Sequence, residues 1–203
     1  MISIIDYGAG NLKSVENALS YLNLSSRIIR DPKELMDSPA AILPGVGAFG
    51  DAMACLNRTG FTDAIREYVH KGAPLLGICL GMQLLFEASE ESPGITGLSI
   101  FPGVLRRIPD AGLKVPHMGW NSLHILQPDG IMKGISQESY VYFVHSYYLS
   151  CSSPEILAAT TQYGVCVGAA VQKGRLAATQ FHPEKSGEVG LKMLRNFAQI
   201  AGL

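Results

Sequence analysis

Tryptophan occurs once, cysteine four times, and neither sign of charge prevails in this 203-residue sequence. The cysteines, at 55, 79, 151 and 166, form no C-x-x-C pair and no close grouping with histidine. That argues against a zinc site and a disulfide framework, and for a reducing compartment. Lys plus Arg number 16 against 17 Asp plus Glu, for a net charge of -1. No basic surface for nucleic acid or an anionic membrane is expected. No basic region and cleavage site precede Ile2-Ser3-Ile4-Ile5, so no signal peptide is expected. The longest apolar stretch, around residues 75 to 86, is broken by Gly and Gln and is too short to span a bilayer. Repeats and low-complexity segments are also missing. A soluble cytoplasmic protein is expected, without metal or cofactor, whose partners are small molecules or proteins.

What is present is apolar content of 47%, enough for one α/β domain over residues 1–203. Short apolar runs at 2–5, 26–29 and 40–43 alternate with helical spacing, as in Leu12, Val15, Leu19 and Leu22. This predicts a largely parallel central sheet flanked by helices, of flavodoxin-like type, with its functional loops at the carboxyl ends of the strands. Residues 6–11, 44–50 and 77–81 then share one edge. A helical pattern from about 51 to 71 breaks near Thr59-Gly60. Beyond Glu91, short β-prone segments at 103–108, 114–126, 140–150, 156–163, 166–171 and 176–181 predict an antiparallel C-terminal part, with a hairpin tip at Lys173-Gly174. A closing helix spans 188–201 and ends at Gly202.

The chain turns on Gly77-Ile78-Cys79-Leu80-Gly81-Met82-Gln83, where a buried strand becomes a helix. Glycines two residues to either side of Cys79 remove the Cβ atoms that would clash as the backbone doubles back, the steric logic of a nucleophile elbow. The start of the following helix favours a thiolate there, and the thiolate is the form that attacks carbonyl carbon. Taken alone, the motif also fits a buried small residue between packed glycines. A base is supplied by Gln180-Phe181-His182-Pro183-Glu184, after a late strand. In extended backbone His182 and Glu184 share a side, so the carboxylate can hold the imidazole while its other nitrogen serves the sulfur.

The elbow, written G-x-C-x-G-x-Q, and the late His182-Pro183-Glu184 together resemble the class I, triad-type glutamine amidotransferases over nearly the whole chain. The resemblance implies hydrolysis of glutamine to glutamate and ammonia by Cys79, His182 and Glu184. Each tetrahedral intermediate would be met by the Leu80 N–H and a second amide from the Gly45-Val46-Gly47 loop. Gln83, one helical turn past Cys79, would contact glutamine together with Gly45 and the Val144-His145-Ser146-Tyr147 strand, which alone reads equally as a plain strand. His70, His117 and His124 read as structural or binding histidines.

Tyr7-Gly8-Ala9-Gly10-Asn11, Pro44-Gly45-Val46-Gly47 and Pro116-His117-Met118-Gly119-Trp120-Asn121 further resemble amidotransferase subunits that serve a (β/α)₈ cyclase in histidine biosynthesis. That implies a heterodimer, with Asn11, Trp120, Tyr142 and Lys185 as docking candidates. Asn11 reads equally as a helix cap, and Trp120 as core. The rivals are the subunits of anthranilate or aminodeoxychorismate synthase and a γ-glutamyl hydrolase; a non-catalytic interaction subunit lies further off.

Overall fold

The computed structural model describes residues 1–110, 112–150 and 155–203. The first half runs β1 (Ile2–Ile5), α1 (Leu12–Tyr21), β2 (Ser26–Ile29), α2 (Pro32–Met36), β3 (Ala40–Leu43), α3 (Phe49–Thr59), α4 (Phe61–His70), β4 (Leu75–Ile78) and α5 (Leu80–Leu84). Residues of β1, β3 and β4 are buried throughout, as expected for parallel strands covered by helices on both faces. Gly60 takes a left-handed conformation, φ 79°, and so ends α3 and starts α4.

The second half adds β5 (Ala88–Ser89), β6 (Val104–Arg107), β7 (His117–Ser122), β8 (His124–Ile125), β9 (Tyr140–His145), β10 (Tyr147–Ser150), β11 (Leu157–Tyr163), β12 (Val165–Lys173), β13 (Leu176–Thr179) and α6 (Gly187–Ile200). Among the described residues the main sheet has the order β2-β1-β3-β4-β13-β12-β10-β6-β5, with β11 and β8 joined through β12. β13 links the two parts, parallel to β4 and antiparallel to β12. The mixed α/β architecture with an antiparallel C-terminal part therefore agrees with the sequence reading.

Alternation along the strands feeds two cores. Ala41, Leu43 and Leu75 face one side with Phe49, Leu56, Phe61 and Ile65. Ile42, Leu76 and Ile78 face the other with Val15, Leu19, Leu194 and Phe197. The parallel strands therefore end together at Ile5, Leu43, Ile78 and Thr179, and the chain leaves each at one edge of the sheet.

Two features depart from the sequence reading. The 140–150 segment is two strands: β9 pairs with β7 in a separate ribbon, and β10 joins the main sheet. Ser146 is the joint, its carbonyl accepting from Ile108 N–H at 2.9 Å. Cys166 is disulfide-bonded, which counts against the reducing compartment expected from the cysteines; Cys151 lies outside the described residues. Among the described residues no helix is long and apolar enough to cross a membrane, and no cluster of metal-ligating side chains occurs.

Candidate active site

Cys79 stands between β4 and α5 with φ 55° and ψ -111°, a conformation that L-residues seldom adopt. Its N–H donates to Thr179 O at 2.8 Å, which ties the elbow to β13. The flanking glycines are required by contact. A Cβ on Gly77 would come within 2.9 Å of the Gly81 carbonyl oxygen, and one on Gly81 would overlap the Leu43 carbonyl oxygen. Gly45 is similarly confined, its Cβ position lying 2.7 Å from Gly81 N. The loop after β3 thus presses directly on the elbow, and Tyr7 holds it there by donating from its hydroxyl to Pro44 O at 3.1 Å.

His182 follows β13 and is buried, its N–H donating to Tyr142 O at 3.0 Å. Glu184 is reached through a single 3-10 turn over Pro183–Lys185 and not along an extended strand, which corrects the local geometry inferred above. The outcome for the side chains is the same: His182 Nδ1 lies 2.8 Å from Glu184 Oε1. Ser186 locks the turn, donating to His182 O at 2.6 Å and accepting from Tyr142 N–H at 3.0 Å. His182 Nε2 has no hydrogen-bond partner of its own. Burial pulls the pKa of His182 down, but the nearby Cys79 and the bond to Glu184 outweigh it and raise the pKa to about 9. The shift favours the imidazolium, which Glu184 holds on one side, while the Cys79 sulfur stands 3.8 Å from Val144 O and 3.9 Å from Gln180 Nε2.

A cleft of about 370 Å³ opens at these groups, with Cys79 and His182 among its lining residues. Val46, Gly47 and Leu80 also line it, as do Val144, His145, Ser146 and Tyr147. α5 begins at Leu80 without a side-chain cap, so the Leu80 N–H has no intrahelical acceptor. Gly47, at φ 95°, gives the loop wall a backbone turn that favours glycine.

Gln83 lines the cleft with its amide orientation fixed. Nε2 donates to Tyr147 O and to Gln180 Oε1, both at 3.0 Å. His145 also lines it, but its ring nitrogens are engaged by Tyr147 O at 2.9 Å and by His117 at 3.0 Å. Contact of His145 with a ligand therefore falls to its backbone.

Glu91 was not singled out from the sequence, where it is one of several acids between 87 and 91. It lines the cleft, and its Oε2 accepts from Phe49 N–H at 2.7 Å. A carboxylate anchored in this way suits an α-ammonium group. The contact joins residues 42 positions apart, and no local pattern carries it.

The docking candidates lie in different elements: the α1 cap, the β7–β9 ribbon and the turn after His182. Asn11 caps α1, its Oδ1 accepting from Ser14 N–H at 3.4 Å. Trp120 is 56% exposed, so it is not core, and its ring meets that of Tyr142 edge-on at 6.0 Å across the β7–β9 ribbon. Lys185 is exposed on the turn beyond His182.

A thiol on a strand-to-helix elbow, with an imidazole and a buried carboxylate beside it, defines the equipment of a cysteine-dependent amidohydrolase. The chain belongs to the glutamine amidotransferase class-I family, whose model matches residues 3–201. Its relatives include the imidazole glycerol phosphate synthase subunit HisH of Moorella thermoacetica, 49% identical over 98% of this chain and 94% of that protein. The HisH subunit of Desulfitobacterium hafniense is 51% identical with the same two coverages. A crystal structure of a glutamine amidotransferase superposes with a TM-score of 0.78 over 100% of this chain and 99% of the other, at 20% identity.

Proposed function

We propose that the chain is the glutaminase subunit of an imidazole glycerol phosphate synthase, acting as one amidotransferase domain. It hydrolyses glutamine to glutamate and ammonia and supplies the ammonia to a cyclase subunit in histidine biosynthesis. The cyclase products are imidazole glycerol phosphate and an aminoimidazole carboxamide ribonucleotide. The observation that carries the chemistry is the buried 2.8 Å contact of His182 Nδ1 with Glu184 Oε1, which leaves Nε2 free at the cleft that Cys79 also lines. The subunit assignment is supported by about half identity to HisH proteins along nearly the entire chain.

The Cys79 sulfur attacks the carboxamide carbon of glutamine, and the carbonyl electrons move to oxygen. The Leu80 N–H and an amide of the Val46-Gly47 loop receive that charge; losing one such donor costs ~10²–10³ in rate. As the intermediate collapses, His182 Nε2 gives its proton to the departing nitrogen and ammonia leaves, with a γ-glutamyl thioester remaining on Cys79. His182, now neutral, takes a proton from water as the oxygen attacks the thioester. Collapse expels the sulfur as thiolate and releases glutamate, leaving His182 protonated again. Glu184 holds the ring throughout, while Glu91 and Gln83 orient the substrate's amino-acid end.

The free thiols of Cys55 and Cys79 support a cytoplasmic setting, and the disulfide at Cys166 counts against it. The cyclase is proposed to dock on the edge bearing Asn11, Trp120, Tyr142 and Lys185. The test is glutamate release by this chain with a histidine-pathway cyclase and its nucleotide ligand, against the chain alone and against γ-glutamyl peptides as substrates. Release from glutamine that rises in the liganded complex is expected. Hydrolysis of γ-glutamyl peptides unaffected by the cyclase would instead identify a γ-glutamyl hydrolase.

A further inference from the structure

His145 at the cleft and His117 beyond it, two histidines that the mechanism does not use, form one continuous hydrogen-bonded line. His145 Nδ1 stands 2.9 Å from Tyr147 O, which only accepts, so Nδ1 carries the proton and Nε2 is the acceptor. His117 Nδ1, 3.0 Å from that Nε2, is therefore the donor, and His117 Nε2 is in turn an acceptor. Asn121 Nδ2 meets it at 3.3 Å.

The orientation of Asn121 is itself pinned from outside. Nδ2 also donates to Gln162 O at 2.9 Å, and Oδ1 accepts from Ser122 N–H at 2.8 Å. Every proton in the line is thus assigned by its ends, and an extra one on either ring would set two donors face to face. The rings are held as well as bonded. His117 stacks between Phe143, at 4.7 Å, and Tyr163, at 3.9 Å. Burial lowers the pKa of His117 to about 4 and is the largest cause lowering that of His145 to about 3, in keeping with two neutral rings.

At its inner end the line stops at the Tyr147 carbonyl, which also accepts from Gln83 Nε2 at 3.0 Å. A carbonyl has two lone pairs, and both are used here. The same Gln83 nitrogen donates to Gln180 Oε1, leaving Gln83 Oε1 as its remaining acceptor at the cleft.

We propose that Asn121, His117 and His145 are positioning residues that fix the Tyr147 carbonyl and, through it, the Gln83 amide, so that Gln83 presents its oxygen to bound glutamine. The proposal rests on reading the cleft as the glutamine site. His117 and Asn121 belong to β7, the strand that also carries Trp120, so the relay makes the fit of glutamine depend on the β7–β9 ribbon.

His117→Phe keeps a ring between Phe143 and Tyr163 but removes the donor, leaving His145 Nε2 buried without a partner. His117→Asn returns a donor near the Nδ1 position, and Asn121→Ala frees the outer end without touching either ring. Two readouts are combined, on the full chain at neutral pH and on its complex with the liganded cyclase. NMR of the full chain is expected to find imidazole N–H protons and Gln83 side-chain amide protons protected from exchange in the wild type. His117→Phe loses the protection of both. In the complex its KM for glutamine rises about tenfold, the scale of one lost hydrogen bond, with kcat changed less than about twofold. Alkylation of Cys79 by iodoacetamide keeps its wild-type rate, and His117→Asn recovers most of the KM.

Unchanged Gln83 protection in His117→Phe and Asn121→Ala would overturn the relay, even in a chain that proved not to be a glutaminase. So would a parallel fall of kcat, KM effect and Cys79 alkylation, which marks general damage. Should His117→Phe not fold, Asn121→Ala is expected to raise KM and weaken Gln83 protection in the same direction, and its failure to do so would also count against the relay.

Discussion

His182 Nδ1 lies 2.8 Å from Glu184 Oε1, with both side chains almost wholly out of solvent at 3% and 1% exposure. A pair buried this deeply holds one tautomer and one ring orientation at little entropic cost when the reaction starts. Glu184→Gln keeps the shape and removes the charge. Glutamate release by the liganded complex is expected to fall about 10²–10⁴-fold, with KM changed far less. Equal kcat in the variant and the wild type would separate Glu184 from the chemistry.

Three histidines set opposite limbs of a stability profile. His182, raised to about 9 by Cys79 and Glu184 against the pull of burial, favours the folded state fully below its ordinary value of 6.5 and loses that contribution as pH climbs through 9. His117 and His145, lowered to about 4 and 3 chiefly by burial, take protons only on unfolding once pH drops below 6.5, so the folded state weakens on that side. Urea midpoints are therefore expected to peak near neutrality and to decline towards both pH 5 and pH 9. His182→Gln should flatten the alkaline limb and His117→Phe the acid limb. A wild-type midpoint that rises between pH 7 and pH 9 would contradict the sign assigned to His182.

Gly81 has no room for a methyl group, because the obstacle is the Leu43 carbonyl oxygen of β3. Backbone in a central strand cannot yield as a flexible side chain does. Gly81→Ala is expected to lower unfolding free energy by about 3 kcal/mol, the upper range for overpacking. Gly174→Ala, at the hairpin tip with open space around it but φ 60°, should cost only about 1 kcal/mol. Denaturant titration of the two variants checks the order.

Trp120 is mostly exposed, yet its ring is steadied edge-on by Tyr142. An exposed, pre-positioned aromatic matches the character of an interface anchor. Trp120→Ala is expected to weaken cyclase binding by about 2 kcal/mol, near thirtyfold, while leaving the melting temperature of the isolated chain close to wild type. Titration calorimetry with the cyclase measures it, and unchanged affinity would move the docking face elsewhere.

Sequence reading reached those parts of the molecule where chemistry is local. The strand-to-helix change around Cys79 and its two glycines is a pattern within seven residues, and all-buried strands announce themselves as short apolar runs. The 3-10 turn at Pro183–Lys185 escaped because extended and turned backbone can both deliver Glu184 to His182. Glu91 escaped because its one distinguishing contact, with Phe49 N–H, is made in three dimensions only. The same holds for His117 and His145, which are 28 residues apart and meet because β7 and β9 pair in a register that sets them opposite one another. Trp120 could be anchor or core from its sequence context; only its position on the outer face of that ribbon decides its exposure.

The central claim is that Cys79 carries the γ-glutamyl group between amide and acid. Rapid acid quench of the liganded complex with glutamine, followed by intact-mass and peptide mass spectrometry, tests it most directly. A γ-glutamyl adduct confined to the peptide containing Cys79, formed as fast as the first equivalent of ammonia and missing in Cys79→Ala, is the predicted result. Glutamate released at the wild-type rate by Cys79→Ala, or turnover with no thioester on Cys79 at any quench time, would contradict the account.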